Sequence, residues 1–219
     1  MIASEQQSRD IEPRWPAMLA VLSIGALHFA LPSHLSLGPD WLLLVLVSVL
    51  LIPAVILHRR GEHTLNQVLG YVILAVVTLD LIASLTLLLA GLPSHRDSPQ
   101  VLLVSAAGLW AVNILVFASW YWRLDAGGPN ERDARGVHSC GAFLFPQMAL
   151  DPELKAAVAA RHWRPGFIDY LFLAFNTSTA FSPTDVPVLS RWAKLMMMVQ
   201  ASISLGTVII LAARAVNVL

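Results

Sequence analysis

The chain has 219 residues, of which 57% are hydrophobic and only 13% charged, and its mean hydropathy is +0.67. A soluble domain carries about 25% charged residues, so the composition excludes an ordinary soluble domain and points to an all-α integral membrane protein. With a formal net charge of zero, nothing suggests a nucleic-acid partner, which would need a basic face. One cysteine, Cys140, excludes an internal disulfide framework.

A helix of about 20 apolar residues crosses the roughly 30 Å hydrocarbon core of a bilayer. After a polar tail over residues 1–16, five stretches meet that length. The first, about Ala17 to Leu37, carries His28, Pro32 and His34 in its second half, where a tilt, a kink or an early stop is expected. The second, about Trp41 to Leu57, contains Pro53 and runs into His58, Arg59 and Arg60. The third, about Gln67 to Ala90, has Asp80 near its middle. The fourth, about Gln100 to Trp122, contains Asn113 and ends in Trp120, Tyr121 and Trp122, rings that favour the membrane–water interface. The fifth runs from about Trp192 to Ala213, with the last helix extending over residues 192–217.

Between the fourth and fifth lies a polar stretch, residues 123–166. It opens with the turn-forming run Ala126-Gly127-Gly128-Pro129-Asn130. Asp151, Pro152 and Glu153 mark a short helix start, expected to continue to about His162. The patch Phe143-Leu144-Phe145-Pro146 is expected on the bilayer surface or against the bundle. Residues 167–187 then form an apolar run from Phe167 to about Thr179, too short to span, followed by polar Ser182, Pro183, Thr184 and Asp185. Such a run followed by a polar loop predicts a re-entrant half-helix, because backbone leaves a helix at membrane depth only inside protein or beside water.

The stretch from Phe172 to Val186 resembles the pore helix and filter of two-transmembrane potassium channel pore domains. In that register the filter falls on Ala180, Phe181, Ser182, Pro183 and Thr184, followed by Asp185. The entry to the inner helix falls on Ala193 and Lys194, and three later family positions fall on Gln200, Ser204 and Arg214. The chain also resembles a group of uncharacterised bacterial multi-pass membrane proteins, through Phe167, Asp169, Tyr170, Thr184, Asp185 and Val186. The channel resemblance implies a pore module over 100–219, a homo-tetramer, monovalent ions as the permeant species and no cofactor. Two filter glycines of the family are replaced by Ser182 and Thr184, with Pro183 between them. This sequence does not build the usual ladder of carbonyls, so potassium selectivity is not expected; the hydroxyls of Thr177, Thr179, Ser182 and Thr184 line the loop instead.

Lysine and arginine gather before the first span (Arg9, Arg14), after the second (Arg59, Arg60) and after the fourth (Arg123, Arg132, Arg135, Lys155, Arg161, Arg164). The positive-inside rule therefore places the N-terminus and the pore-like loop in the cytoplasm of an inner-membrane protein, inverted relative to potassium channels. Asp80 is the other functional candidate, with His28 and Asn113 as possible partners, since an acid at mid-membrane faces a partner, a cavity or an ion path. Asn113 and Gln200 read first as interhelical hydrogen-bonding residues, and Ser204 belongs to a small-residue face. His138 and Cys140 fall short of the four ligands of a structural zinc site. The absence of a phosphate-binding loop, a nucleophile elbow or a metalloprotease motif counts against an enzyme. The sequence thus predicts a channel-like protein. A proton-coupled carrier using Asp80 and a non-conducting scaffold or sensor are the alternatives.

Overall fold

The computed structural model describes residues 12–91, 98–135, 138–139, 141–157, 163–180 and 186–215, the side chains of 180 and 213–215 excepted. The described chain is helical: α1 (Trp15–Phe29), α2 (Leu42–Arg59), α3 (His63–Gly91), α4 (Pro99–Leu124), α5 (Pro129–Arg135), α6 (Pro146–Ala149), α7 (Pro152–Ala157), α8 (Phe167–Ala180) and α9 (Arg191–Ala215). Among the described residues strand pairing is limited to one isolated antiparallel bridge, Phe143 to Val188. Four helices, α2, α3, α4 and α9, are long and apolar enough to cross a membrane.

Of the tilt, kink or early stop expected in the first apolar run, the structure shows the early stop. α1 ends at Phe29, and a separate 3-10 turn follows at Ser33–Leu35. Pro32 offers no backbone N–H and disfavours helical torsions at Leu31. Fifteen residues rise only about 22 Å, less than the roughly 30 Å core. The start of α4 is better specified. Pro99 occupies its first turn, and the Ser98 side chain accepts a hydrogen bond from the Val101 N–H, the pattern that satisfies a helix's free donors.

α4 is the central helix, packing against α1, α3, α8 and α9, while α2 lies outside between α1 and α3. Its terminal aromatic run lies in the last turn and a half of the helix, which ends at Leu124. Tyr121 and Trp122 are buried in the protein, and Trp120 stacks on Tyr71 and donates its indole N–H to Thr78 Oγ1. Beyond Leu124 the chain turns sharply through Ala126 (φ 51°), Gly127 and Gly128. A side chain at Gly128 would place its Cβ 2.7 Å from the Arg123 carbonyl oxygen, so only glycine fits there.

Contacts among the helix ends gather the basic segments at one end of the bundle. Arg14 bonds Asp133, Asn130 bonds Asn66, Arg123 reaches the Asn66 carbonyl, and Trp122 packs edge-on against Phe167. Phe143 contacts Trp192 at the start of α9. The N-terminal ends of α1, α3, α8 and α9 and the C-terminal ends of α2 and α4 therefore share this basic end. Phe143 and Phe145 are buried, so their patch packs on the bundle. Asp151 caps α7 by accepting the Leu154 N–H at 2.7 Å.

Candidate pore-like site

α8 and α9 start at the same end, yet the last turns of α8 are fastened about halfway along α9. The fastening is a chain of polar groups in an otherwise apolar seam between α4, α8 and α9. Gln200, fully buried, donates from Nε2 to the Ala174 carbonyl (2.7 Å) and to Ser178 Oγ (2.9 Å). Its Oε1 accepts the Tyr121 hydroxyl at 2.5 Å. One turn on, Ser204 Oγ donates to the Ser178 carbonyl (2.7 Å) and accepts the Trp110 indole N–H (3.0 Å). Asn113 Nδ2 donates to the Gln200 carbonyl at 3.2 Å, while its Oδ1 is buried without a hydrogen-bond partner among the described residues.

The residues singled out from the sequence thus divide. Asn113, Thr177, Gln200 and Ser204 come together inside one chain, with Thr177 turned back to the Leu173 carbonyl. Thr179 is exposed at the end of α8 and bonds the Phe175 carbonyl. Ala180 closes α8. Phe181, Ser182, Pro183, Thr184 and Asp185 lie outside the described residues, so the loop itself and any pairing of Asp185 do too. The chain resumes at buried Val186. Pro187 and Leu189 then hydrogen-bond Leu144 and Ala142 back at the basic end.

Asp80 and His28 face each other between α3 and α1, with His28 Nδ1 2.8 Å from Asp80 Oδ2. His28 Nδ1 makes no hydrogen bond among the described residues. Asn113 is not part of the His28–Asp80 contact.

A second polar centre, not evident from the sequence, anchors the entry of α8. Asp125, fully buried just past α4, accepts the Tyr170 hydroxyl at 2.7 Å and the Ala142 N–H at 2.5 Å, and its Oδ2 lies 3.1 Å from His138 Nε2. Burial alone would raise the Asp125 carboxyl; the contacts with His138, Tyr170 and the Ala142 N–H outweigh it and hold the group below the ordinary carboxylate value. Arg132, also buried, stacks over the Tyr170 ring, pairs with Glu12 at 2.9 Å and donates to the carbonyls of Trp122 and Asp125. Asp169 accepts the Gly166 N–H at 2.8 Å, capping the start of α8. Sequence separation conceals this centre, since Asp125 and Tyr170 are 45 residues apart. The single available signal was a run of charges beside an aromatic-rich helix entry.

Among the described residues no three His, Cys, Asp or Glu side chains gather to hold a metal. His138 is committed to Asp125, and Cys140 lies outside the described residues. Comparison with protein-family models, curated proteins and solved structures finds no match to this chain, so the reading rests on its own residues.

Proposed function

We propose that this is a multi-pass membrane protein of the pore-loop type, in which α8 is a re-entrant half-helix entering from the cytoplasmic, basic side. Copies of the chain assemble so that residues 179–185 and the exposed face of α9 surround a path for monovalent cations, Thr177 being turned into its own chain and not towards the path. The observation that carries this reading is the position of α8. It is a 14-residue helix that starts beside the start of α9 and has its last turns hydrogen-bonded to Gln200 and Ser204, well inside α9. The C-terminal end of a helix carries a partial negative charge, and the last turn of α8 contains no basic residue to cancel it. A site for a cation at mid-depth is the natural consequence. α1 then completes the fifth passage together with the 3-10 turn that follows it, by thinning the local bilayer or with the help of its neighbours.

Flux from liposomes containing the purified protein tests the proposal, comparing potassium, sodium and chloride. The expected result is cation flux, with weak discrimination between potassium and sodium, abolished by Ser182→Trp. Liposomes that leak none of these ions under either polarity of voltage would overturn it.

A second reading rests on the buried His28–Asp80 contact, since an intramembrane acid paired with histidine suits a proton relay. It is a proton-coupled carrier, and it predicts that Asp80→Asn abolishes proton-driven solute uptake. The pore reading predicts that the same substitution leaves cation flux within about twofold of the parent, because the pair lies between α1 and α3 and away from α8.

A further inference from the structure

We propose that the cavity enclosed by α1, α2, α3 and α4 at the basic end binds an anionic phospholipid. Its phosphate lies among Arg14, Arg59 and Arg123, and the first carbons of one acyl chain lie against the apolar wall behind them. The cavity measures about 120 Å³, and its lining includes these three arginines and His58 but no aspartate or glutamate. The inner wall is apolar, with Val21, Leu51, Ile73 and Leu74 among its residues. Cationic at the basic end and apolar further in, it matches an amphiphile lying along the helices.

Arg14 and Arg123 are held in place, and Arg59 and Arg123 are not neutralised by an acid among the described residues. The guanidiniums of Arg14 and Arg123 flank one indole, 5.7 Å and 5.5 Å from the centre of the Trp122 ring. Arg123 has no carboxylate within ion-pair distance among the described residues; its recorded polar contact is the Asn66 carbonyl at 3.4 Å. Arg59 is exposed and has neither a hydrogen bond nor an ion pair among the described residues. Arg14 is ion-paired to Asp133 through Nη2 and to Glu12 through Nη1 at 3.6 Å, although Nη1 is buried without a hydrogen bond among the described residues. Gly70 supplies the seat for Arg123, since a Cβ there would lie 2.0 Å from the guanidinium carbon. An arginine seated over a glycine with no acid beside it among the described residues is open to an anion brought from outside. Like charges gathered at a partly buried site repel one another until a counter-charge arrives, and basic pockets between membrane helices on the cytoplasmic side take phosphate headgroups.

Free phosphate shares the headgroup chemistry but has no use for the apolar wall, so the two sources are separable. The test measures the melting temperature of the full-length protein in neutral detergent, titrated with phosphatidylglycerol, phosphatidylcholine or inorganic phosphate. Phosphatidylglycerol is expected to raise it in a saturable way, phosphatidylcholine and inorganic phosphate to do much less. Arg59→Gln should raise the half-saturating concentration of phosphatidylglycerol about fivefold, and Arg123→Gln about tenfold or more. Equal stabilisation by the two lipids, full stabilisation by inorganic phosphate, or an unchanged titration in Arg59→Gln would each overturn the proposal. Should Arg123→Gln fail to fold, Arg59→Gln still decides, because that side chain makes no bond within the described residues.

Discussion

Gln200 carries more of the seam than any other side chain, because its amide satisfies Tyr121, Ser178 and the Ala174 carbonyl at once. Gln200→Leu fits the volume but leaves the Tyr121 hydroxyl buried without an acceptor. Unmet hydrogen bonds of this kind cost about 1–3 kcal/mol, and membrane helix bonds fall at the lower end of that range. A lower melting temperature in detergent, with α8 released to protease before the rest of the bundle, is the expected outcome. Asp125 allows a prediction with a definite sign. Its folded value is held below the unfolded value of about 3.9, so its stabilisation is present above that unfolded value and is lost as pH falls through the folded one. The melting temperature should therefore drop as pH is lowered below about 4. Asp125→Asn should remove that component of the drop and destabilise the protein at pH 7, as a melting series from pH 3 to 7 would reveal. Asn113, Gln200 and Ser204 were legible in the sequence as polar groups in apolar spans, because lipid leaves such groups no other partner. Asp125, Arg132 and Tyr170 were not, because each stands in a segment that reads as loop or helix entry and only the fold brings them together.

At the scale of elements, length and apolarity identified α2, α3, α4 and α9 directly, since a bilayer imposes its thickness on any helix that crosses it. They failed for α1, where Pro32 stops the helix although hydrophobicity continues past it. Composition also could not say that Trp120, Tyr121 and Trp122 pack against protein, because aromatic rings suit protein and headgroups alike. The contact between α1 and α2 depends on one small residue. A Cβ at Gly25 would meet Leu44 Cα and Cδ1 at 3.0 Å, and the first of these is backbone that cannot rotate away. Gly25→Leu should push the two helices apart at a cost of about 1–3 kcal/mol, measurable as a loss of thermal stability, whereas Gly206→Ala, with nothing among the described residues within 4 Å of the added Cβ, should not lower it.

For the whole molecule, the gathering of Arg14, Arg59, Arg123 and Arg132 at one end gives the charge asymmetry a physical location, with the turn around Ser33 at the other. In cells carrying the Cys140→Ser background, an impermeant maleimide should label Ser33→Cys from outside and reach Glu62→Cys only after lysis. The reverse pattern would place the entry of α8 outside and give the pore loop the orientation of potassium channels. In the proposed pore, the end of α8 meets water at mid-membrane depth, reached from the basic side. Thr179→Cys tests it most directly, with Leu205→Cys on the exposed apolar face of α9 as the lipid-facing control. A small charged thiosulfonate applied to proteoliposomes from the basic side should modify Thr179→Cys quickly and alter cation flux, leaving Leu205→Cys unmodified. A Thr179→Cys that stays inert while Glu62→Cys reacts would contradict the account, placing the end of α8 in lipid or in sealed protein.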